Sequence, residues 1–153
     1  MIPLQKTGKR LEIGSYVLEL FPEETKKEYD ALSVYGGENP AVLFFHHLMK
    51  SAPAASAAFL KSLGIDAKKI TLCRPLTEPD ENGEILYLAC APLCALVLAG
   101  GDTEPRQSEE TSGISVIFVG EEKDFSPALP RFSAPCAELR FVIPLPFDAC
   151  FFE

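Results

Sequence analysis

Apolar and polar residues alternate from Arg10 to Phe21, and this period of two predicts a β-strand. The alternation is interrupted at Gly14-Ser15, where we expect a bulge in the strand. Helical spacing follows, because Pro22 suits a first helical turn and the apolar positions recur every three or four residues up to Leu32. Gly36-Gly37 is the expected end of this first helix.

Two further helices are predicted between residues 39 and 64. Asn39 and Pro40 form a start signal, with Asn as the N-cap and Pro in the first turn. The segment from Ala41 to about Ser51 is apolar on nearly every side, which indicates a central helix or one covered by a partner.

The third helix is predicted over Ala54–Leu63 and is rich in alanine. Its expected buried stripe is Ala55, Phe59 and Leu63, and Gly64 is its expected C-cap. The small residues on this helix allow another helix to approach closely. That helix belongs either to the same chain or to a second copy of it.

After Gly64 the pattern changes from helical to extended. Strands are predicted over residues 69–76, 84–91, 114–119 and 138–144, and residues 93–99 form a further apolar segment. Asn82-Gly83 is a turn signal between two of them. Prolines are frequent near the end of the chain, and we expect them to divide it into short extended pieces. Helices that precede a run of strands predict an α+β fold, with a mainly antiparallel sheet packed against two or three helices in the N-terminal half.

The length of 153 residues fits a single domain spanning the whole chain. Residues 101–113 are polar and acidic, and they predict a mobile loop. The chain ends in an aromatic segment, Phe147–Phe152, which we expect to dock onto the sheet or onto a second subunit.

An uncharged segment, Ile85–Gly101, is at the lower limit of the length that a membrane-spanning helix needs. It contains Pro92 and β-forming residues, so we interpret it as two buried strands or a strand and a short helix, with no membrane association. The first residues lack an apolar stretch behind a basic end, and we expect no secretory signal. The five cysteines lack the regular spacing of a disulfide framework, so we expect reduced thiols. Reduced thiols favour a cytoplasmic protein.

Charge is distributed unevenly along the chain. The protein has a net charge of −8, and residues 77–124 contain eleven acidic side chains against two basic ones, Arg106 and Lys123. An acidic face repels phosphate backbones, so nucleic-acid binding is not expected. The acidic segment is either a solubilising surface or a patch that attracts a basic protein partner.

His46 and His47 are the only histidines. Adjacent residues on a helix point about 100° apart, so the pair is not expected to bind one metal ion. We interpret both as core or interface residues, with ligand contact or proton transfer as the alternative.

Other candidates for chemistry lie on the predicted strands. Cys90 and Cys94 are too far apart for a disulfide on a strand and lack a second pair, so core packing is expected and no metal site is predicted. Arg74, Glu138 and Arg140, together with Asp148, are charged residues close to apolar strands. They are the remaining candidates for ligand binding, and no cofactor-binding motif accompanies them.

The sequence lacks a Gly-rich phosphate loop and a nucleophile elbow, so it favours binding over catalysis. The leading hypothesis is a small acidic binding or regulatory module that self-associates, most simply as a homodimer. One alternative is an enzyme or small-molecule-binding protein with a pocket between helices and sheet, in which His46 or His47 and Arg74 converge. Another is a chaperone-like binder of a basic client protein.

Overall fold

A computed structural model describes residues 8–13, 16–32, 39–99, 109–111, 113–121, 130, 132–133 and 135–147. The helices are α1 (Pro22–Ala31), α2 (Pro40–Met49) and α3 (Ala54–Ser62), followed by a short 3-10 helix, Ala67–Lys69. The strands are β1 (Lys9–Ile13), β2 (Tyr16–Leu20), β3 (Leu72–Pro75), β4 (Glu84–Leu93), β5 (Ala95–Ala99), β6 (Glu109–Thr111), β7 (Ile114–Glu121) and β8 (Ala137–Pro146).

The described strands form two antiparallel sheets. The smaller sheet has the order β1-β2-β5, and the larger one has the order β3-β4-β8-β7-β6. The helices all lie between residues 22 and 62, ahead of most of the strands. The predicted α+β class, with the helices in the N-terminal half, is confirmed.

The single strand predicted over Arg10–Phe21 is wrong, because two strands occupy this segment. β1 and β2 pair with each other in an antiparallel register in which Ile13 lies opposite Tyr16. Two residues separate these partners, which is the shortest common hairpin connection and one that favours glycine. The interrupted alternation therefore marked a chain reversal and not a bulge; residues 14 and 15 themselves lie outside the described residues.

Two predicted helix boundaries are confirmed. The Asn39 side chain accepts hydrogen bonds from the backbone N–H of Ala41 (2.9 Å) and of Val42 (3.4 Å), which satisfies two free donors at the start of α2. Gly64 follows α3 with a φ of +87°, a conformation that costs little only for glycine. The predicted end of α1 at Gly36-Gly37 is wrong, because α1 ends at Ala31 and its C-cap, Leu32, is already extended with a ψ of 131°. Residues 36 and 37 themselves lie outside the described residues.

The buried stripe predicted for α3 is correct in part. Leu63 is buried and Phe59 packs half-buried against the core, as predicted, whereas Ala55 is exposed. Ser56 and Leu60 are buried on this helix and were not predicted. The small Ser56 is favoured here because Gly113 approaches it closely: a Cβ at Gly113 would lie 2.9 Å from the Ser56 hydroxyl oxygen. The face of α3 is thus selected by the tight approach of the chain just before β7.

Prolines do not divide the C-terminal part into short pieces as expected, since β8 is ten residues long and contains Pro144 and Pro146. The register explains this difference. The pairing of β7 with β8 ends at Val142, so both prolines lie beyond the part of β8 that has β7 as a neighbour. Pro92 likewise lies beyond Cys90, the last β4 residue that pairs with β3.

The core lies between α2 and one face of the larger sheet. Phe45 and Tyr87 have ring centroids 5.2 Å apart, and both are fully buried. The Tyr87 hydroxyl donates a hydrogen bond to the Ala41 carbonyl (2.8 Å), which attaches the start of α2 to the sheet. The apolar character of α2 therefore reflects a central position, which is one of the two predicted alternatives.

Two side chains of α1 connect it to the end of β4. The Thr25 hydroxyl accepts a hydrogen bond from the backbone N–H of Cys94 (2.8 Å) and donates one to the Phe21 carbonyl (3.1 Å). The Tyr29 hydroxyl donates to the Pro92 carbonyl (2.8 Å). These bonds hold α1 at a defined position on the sheet.

The segment considered as a membrane span forms β4 and β5 up to Ala99, which agrees with the two-strand alternative. β5 is not fully buried, because Leu96 and Leu98 are exposed. In the described part of the chain, no helix has the length and apolar character needed to cross a membrane.

The acidic loop predicted over residues 101–113 contains the strand β6, so it is not entirely a loop. β6 pairs with β7, with Thr111 opposite Ile114, because Gly113 has a positive φ of 80° that permits the reversal. Residues 101–108 and 112 lie outside the described residues. Of the terminal aromatic segment, Phe147 is described, and it packs edge-on against Phe44 with centroids 6.0 Å apart.

Candidate functional site

Three helices and the short 3-10 helix surround a groove with a volume of about 680 Å³. The groove lies between α1, α2 and α3, with the segment from Gly64 to Lys68 along one side. This volume is within the range of cavities that bind small molecules. The predicted pocket between helices and sheet differs from it in position, because the groove is built from helical elements.

Four lysines line the groove, and each comes from a different element. Lys26 lies on α1, Lys50 caps the end of α2, Lys61 lies on α3 and Lys68 lies on the 3-10 helix. All four side chains are exposed. Three acidic residues, Glu23, Asp30 and Asp66, also line the groove. Positive charge thus exceeds negative charge by one around the groove, in a protein whose net charge is −8.

The inner surface of the groove is apolar. Tyr29, Leu60 and Ile65 line it and are buried, and Met49 is half-buried beside them. A molecule in the groove would therefore contact hydrocarbon and aromatic surface on one side and ammonium groups at the edge. This combination suits an anionic molecule that has an apolar part.

Gly64 sets the width of one end of the groove. A Cβ at this position would lie 2.9 Å from the Thr25 Cβ and closer still to the Pro22 carbonyl oxygen. Only glycine permits the end of α3 to approach the first turn of α1 this closely.

His46 is half-buried on α2 and lines the groove. Its Nε2 lies 2.7 Å from the Ile70 carbonyl oxygen. Because a carbonyl oxygen only accepts hydrogen bonds, Nε2 carries the proton and Nδ1 is the basic nitrogen of the neutral ring. The hydrogen bond fixes the orientation of the ring and attaches α2 to the segment before β3.

His47 is half-buried on the same helix, but it is not among the residues that line the groove. Consecutive residues of a helix point about 100° apart, which accounts for the different surroundings of the two rings. The structure therefore places one of the two candidate histidines at the groove.

The structure brings Arg74, Glu138 and Arg140 together elsewhere, on the larger sheet. Arg140 lies opposite Cys90 in the pairing of β8 with β4, and Arg74 on β3 lies opposite Leu88, two residues along β4 from Cys90. Glu138 is fully buried, and its Oε2 is 2.5 Å from Nε of Arg140. Asp148, the other predicted member, lies outside the described residues.

The electrostatics of this sheet cluster do not favour a nucleophile. Burial, together with the adjacent Glu138 carboxylate, raises the pKa of Cys90 to about 11, although Arg140 and Arg74 act in the opposite direction. The thiol is therefore protonated at neutral pH, and the thiolate is the reactive form. Glu138 and Arg140 act as an ion pair that compensates a buried carboxylate.

Cys73, Cys90 and Cys94 have free thiols, and of the described cysteines only Cys73 is half-buried instead of buried. Burial raises the pKa of Cys94 to about 11, as it does for Cys90, so both behave as core residues. Cys150 lies outside the described residues. Within the described ranges, no group of three or more His, Cys, Asp or Glu residues is placed to hold a metal ion.

The chain matches no protein-family model, no curated protein and no solved structure.

The groove lysines were not identified from the sequence, since residues 26, 50, 61 and 68 follow no motif. One signal was present: residues 1–76 contain ten basic side chains against eight acidic ones, in a protein that is acidic as a whole. That excess indicated a less acidic N-terminal half but not a convergence of charges.

Proposed function

We propose that this protein is a non-catalytic binding protein that takes a small anionic molecule into the groove between its helices. The observation that carries the proposal is the convergence of four exposed lysines, from four separate elements, around an apolar surface. Carboxylates and phosphate esters are the anions that ammonium groups bind in proteins. The apolar surface favours a molecule that also has a hydrocarbon or aromatic part.

His46 is the candidate histidine that lines the groove, and its ring is anchored. Nε2 donates a hydrogen bond to the Ile70 carbonyl, which leaves Nδ1 to contact a bound molecule. A bond of this kind orients a catalytic histidine as well as a structural one, so it favours neither role. The proposal therefore treats His46 as a contact for the bound molecule at the edge of the groove.

The test uses 8-anilinonaphthalene-1-sulfonate, an aromatic sulfonate whose fluorescence rises in apolar surroundings. We expect it to bind the wild-type protein and to bind the Lys26→Ala, Lys61→Ala double variant at least about fivefold more weakly, since each exposed ion pair contributes about 0.5 kcal/mol. Affinity should also fall with added salt.

A matched control removes the same charge from lysines outside the groove. Lys9 lies on β1, and Lys27 lies next to Lys26 on α1, where it is 3.6 Å from Glu24. The Lys9→Ala, Lys27→Ala variant should bind the probe like the wild type. Equal weakening in both double variants would contradict the groove proposal, because it would indicate a response to net charge alone.

Two further parts of the sequence hypothesis are also proposed for this protein. A cytoplasmic location is supported by the free thiols of Cys73, Cys90 and Cys94. Binding of a basic protein client is supported by the turn between β3 and β4, where Glu78, Asp80 and Glu81 are exposed.

A further inference from the structure

The larger sheet has an outer face, opposite the face that packs against α2. Along β8 the odd-numbered residues from Leu139 to Leu145 are buried, whereas the even-numbered ones from Arg140 to Pro146 are half-exposed. The outer face comprises these even residues and their neighbours on β3 and β4: Leu72, Arg74, Glu84, Leu86, Leu88.

The composition of the outer face is unusual for a surface in contact with water. Leu86 is 37% exposed, and Leu88, Val142 and Pro144 are half-exposed around it. An antiparallel sheet with one solvated face normally has polar residues on that face, whereas strands covered on both faces are apolar throughout. β4 and β8 follow the second pattern, which indicates that the outer face becomes covered.

Charges at the two ends of the outer face are opposite. Arg74 is exposed toward one end, beside the ion pair of Arg140 with Glu138, and Glu84 lies at the other end. Arg74 lies opposite Leu88, and the four steps along β4 from Glu84 to Leu88 correspond to about 14 Å. Leu88 and Val142 lie in the same row as Arg74, and Leu86 and Pro144 form the row between Arg74 and Glu84.

We propose that two copies of this chain associate through the outer face about a two-fold axis, with their β4 strands antiparallel. Such an axis places the arginine end of each copy against the Glu84 end of the other. A two-fold interface uses the same surface twice, so that surface must be complementary to itself. A face with one acidic end, an apolar centre and one basic end meets this condition. The proposal is independent of the groove, which lies among the helices.

The first experiment compares two exposed leucines by analytical ultracentrifugation at about 100 μM, where complexes with micromolar dissociation constants are populated. Leu86 lies at the centre of the outer face, and Leu98, which is 51% exposed on β5, is its matched control. We expect the wild-type chain and Leu98→Glu to sediment as dimers and Leu86→Glu to sediment as a monomer with an unchanged circular dichroism spectrum.

The second experiment exchanges the charges at the ends. Arg74→Glu and Glu84→Arg should each raise the dimer dissociation constant at least about tenfold, because like charges then face each other across the interface. The double variant should recover most of the affinity. Arg10→Glu, on the exposed strand β1, supplies the control for the change in net charge.

Three results would overturn the proposal. One is a wild-type chain that is a monomer at this concentration. Another is a dimer that persists in Leu86→Glu but is lost in Leu98→Glu, which would move the interface to the smaller sheet. The third is a double charge variant that is as weak as the two single variants, which would show that the two ends do not meet. None of these results bears on binding of the sulfonate probe in the groove.

Discussion

Gly64 and Gly83 provide a test of how the helices are joined around the groove. Both have positive φ, 87° at Gly64 and 74° at Gly83, so alanine is strained at either position. Their surroundings differ. A Cβ at Gly83 meets nothing within 4 Å, whereas one at Gly64 would collide with the Pro22 carbonyl and with Thr25 on α1.

The expected magnitudes follow from this difference. A non-glycine residue in the left-handed region costs about 1 kcal/mol or slightly more, and Gly83→Ala should lose only that amount. Gly64→Ala must also displace the first turn of α1, a backbone contact that cannot relax by side-chain rotation. Overpacking of this kind costs about 1–3 kcal/mol, so we expect a total near 3 kcal/mol.

The assay is urea denaturation followed by circular dichroism, with thermal denaturation as a second measurement. For a chain of this length, 1 kcal/mol corresponds to about 2–4 °C, so Tm should fall by about 9 °C for Gly64→Ala and by about 3 °C for Gly83→Ala. The slope of unfolding free energy against urea should be equal in both variants if only stability has changed.

The groove gives an independent readout of the same perturbation. Because Gly64 and Pro22 both line it, displacement of α1 from α3 should weaken binding of the sulfonate probe in Gly64→Ala and leave Gly83→Ala unaffected. If Gly64→Ala and Gly83→Ala lose the same stability to within about 0.5 kcal/mol, the steric argument is refuted. The strained backbone conformation alone would then account for both losses.

Other consequences concern the buried hydroxyl and the thiols. Tyr29→Phe removes the hydrogen bond to the Pro92 carbonyl, and the free energy of unfolding should fall by about 1 kcal/mol or more, measured in urea; an unchanged value would show that this bond does not hold α1. Cys73, Cys90 and Cys94, whose pKa values burial raises to about 12, 11 and 11, should react slowly with Ellman's reagent at pH 8 until the chain is unfolded. A thiol pKa raised above the ordinary value of 9.0 stabilises the fold below pH 9, and this contribution is lost as the pH rises toward 11. Urea denaturation at several pH values should therefore show falling stability over that range, and constant stability would contradict the assigned burial.

The sequence by itself determined the features that depend on local rules. Asn39 and Pro40 marked the start of α2, because an N-cap side chain and a proline act on the donors of the first turn whatever surrounds them. Gly64 marked the end of α3 for a similar reason. The order of helical and extended patterns also sufficed for the α+β class.

Features that depend on which elements become neighbours were decided only by the tertiary structure. On α3 the sequence placed Leu63 correctly but missed Ser56, which the distant residue Gly113 approaches closely in the folded chain. The length of β8 was misjudged because a proline is tolerated where the adjacent strand has ended, and strand register is not visible in one segment alone.

The groove belongs to the second group. Lys26, Lys50, Lys61 and Lys68 each have an ordinary position on a helix, and no spacing connects them. Charges act on a ligand through distances in space, and those distances arise when the helices are packed against one sheet. The sequence therefore determined the charges that this protein has and the elements that contain them, and the fold alone determined which of them meet.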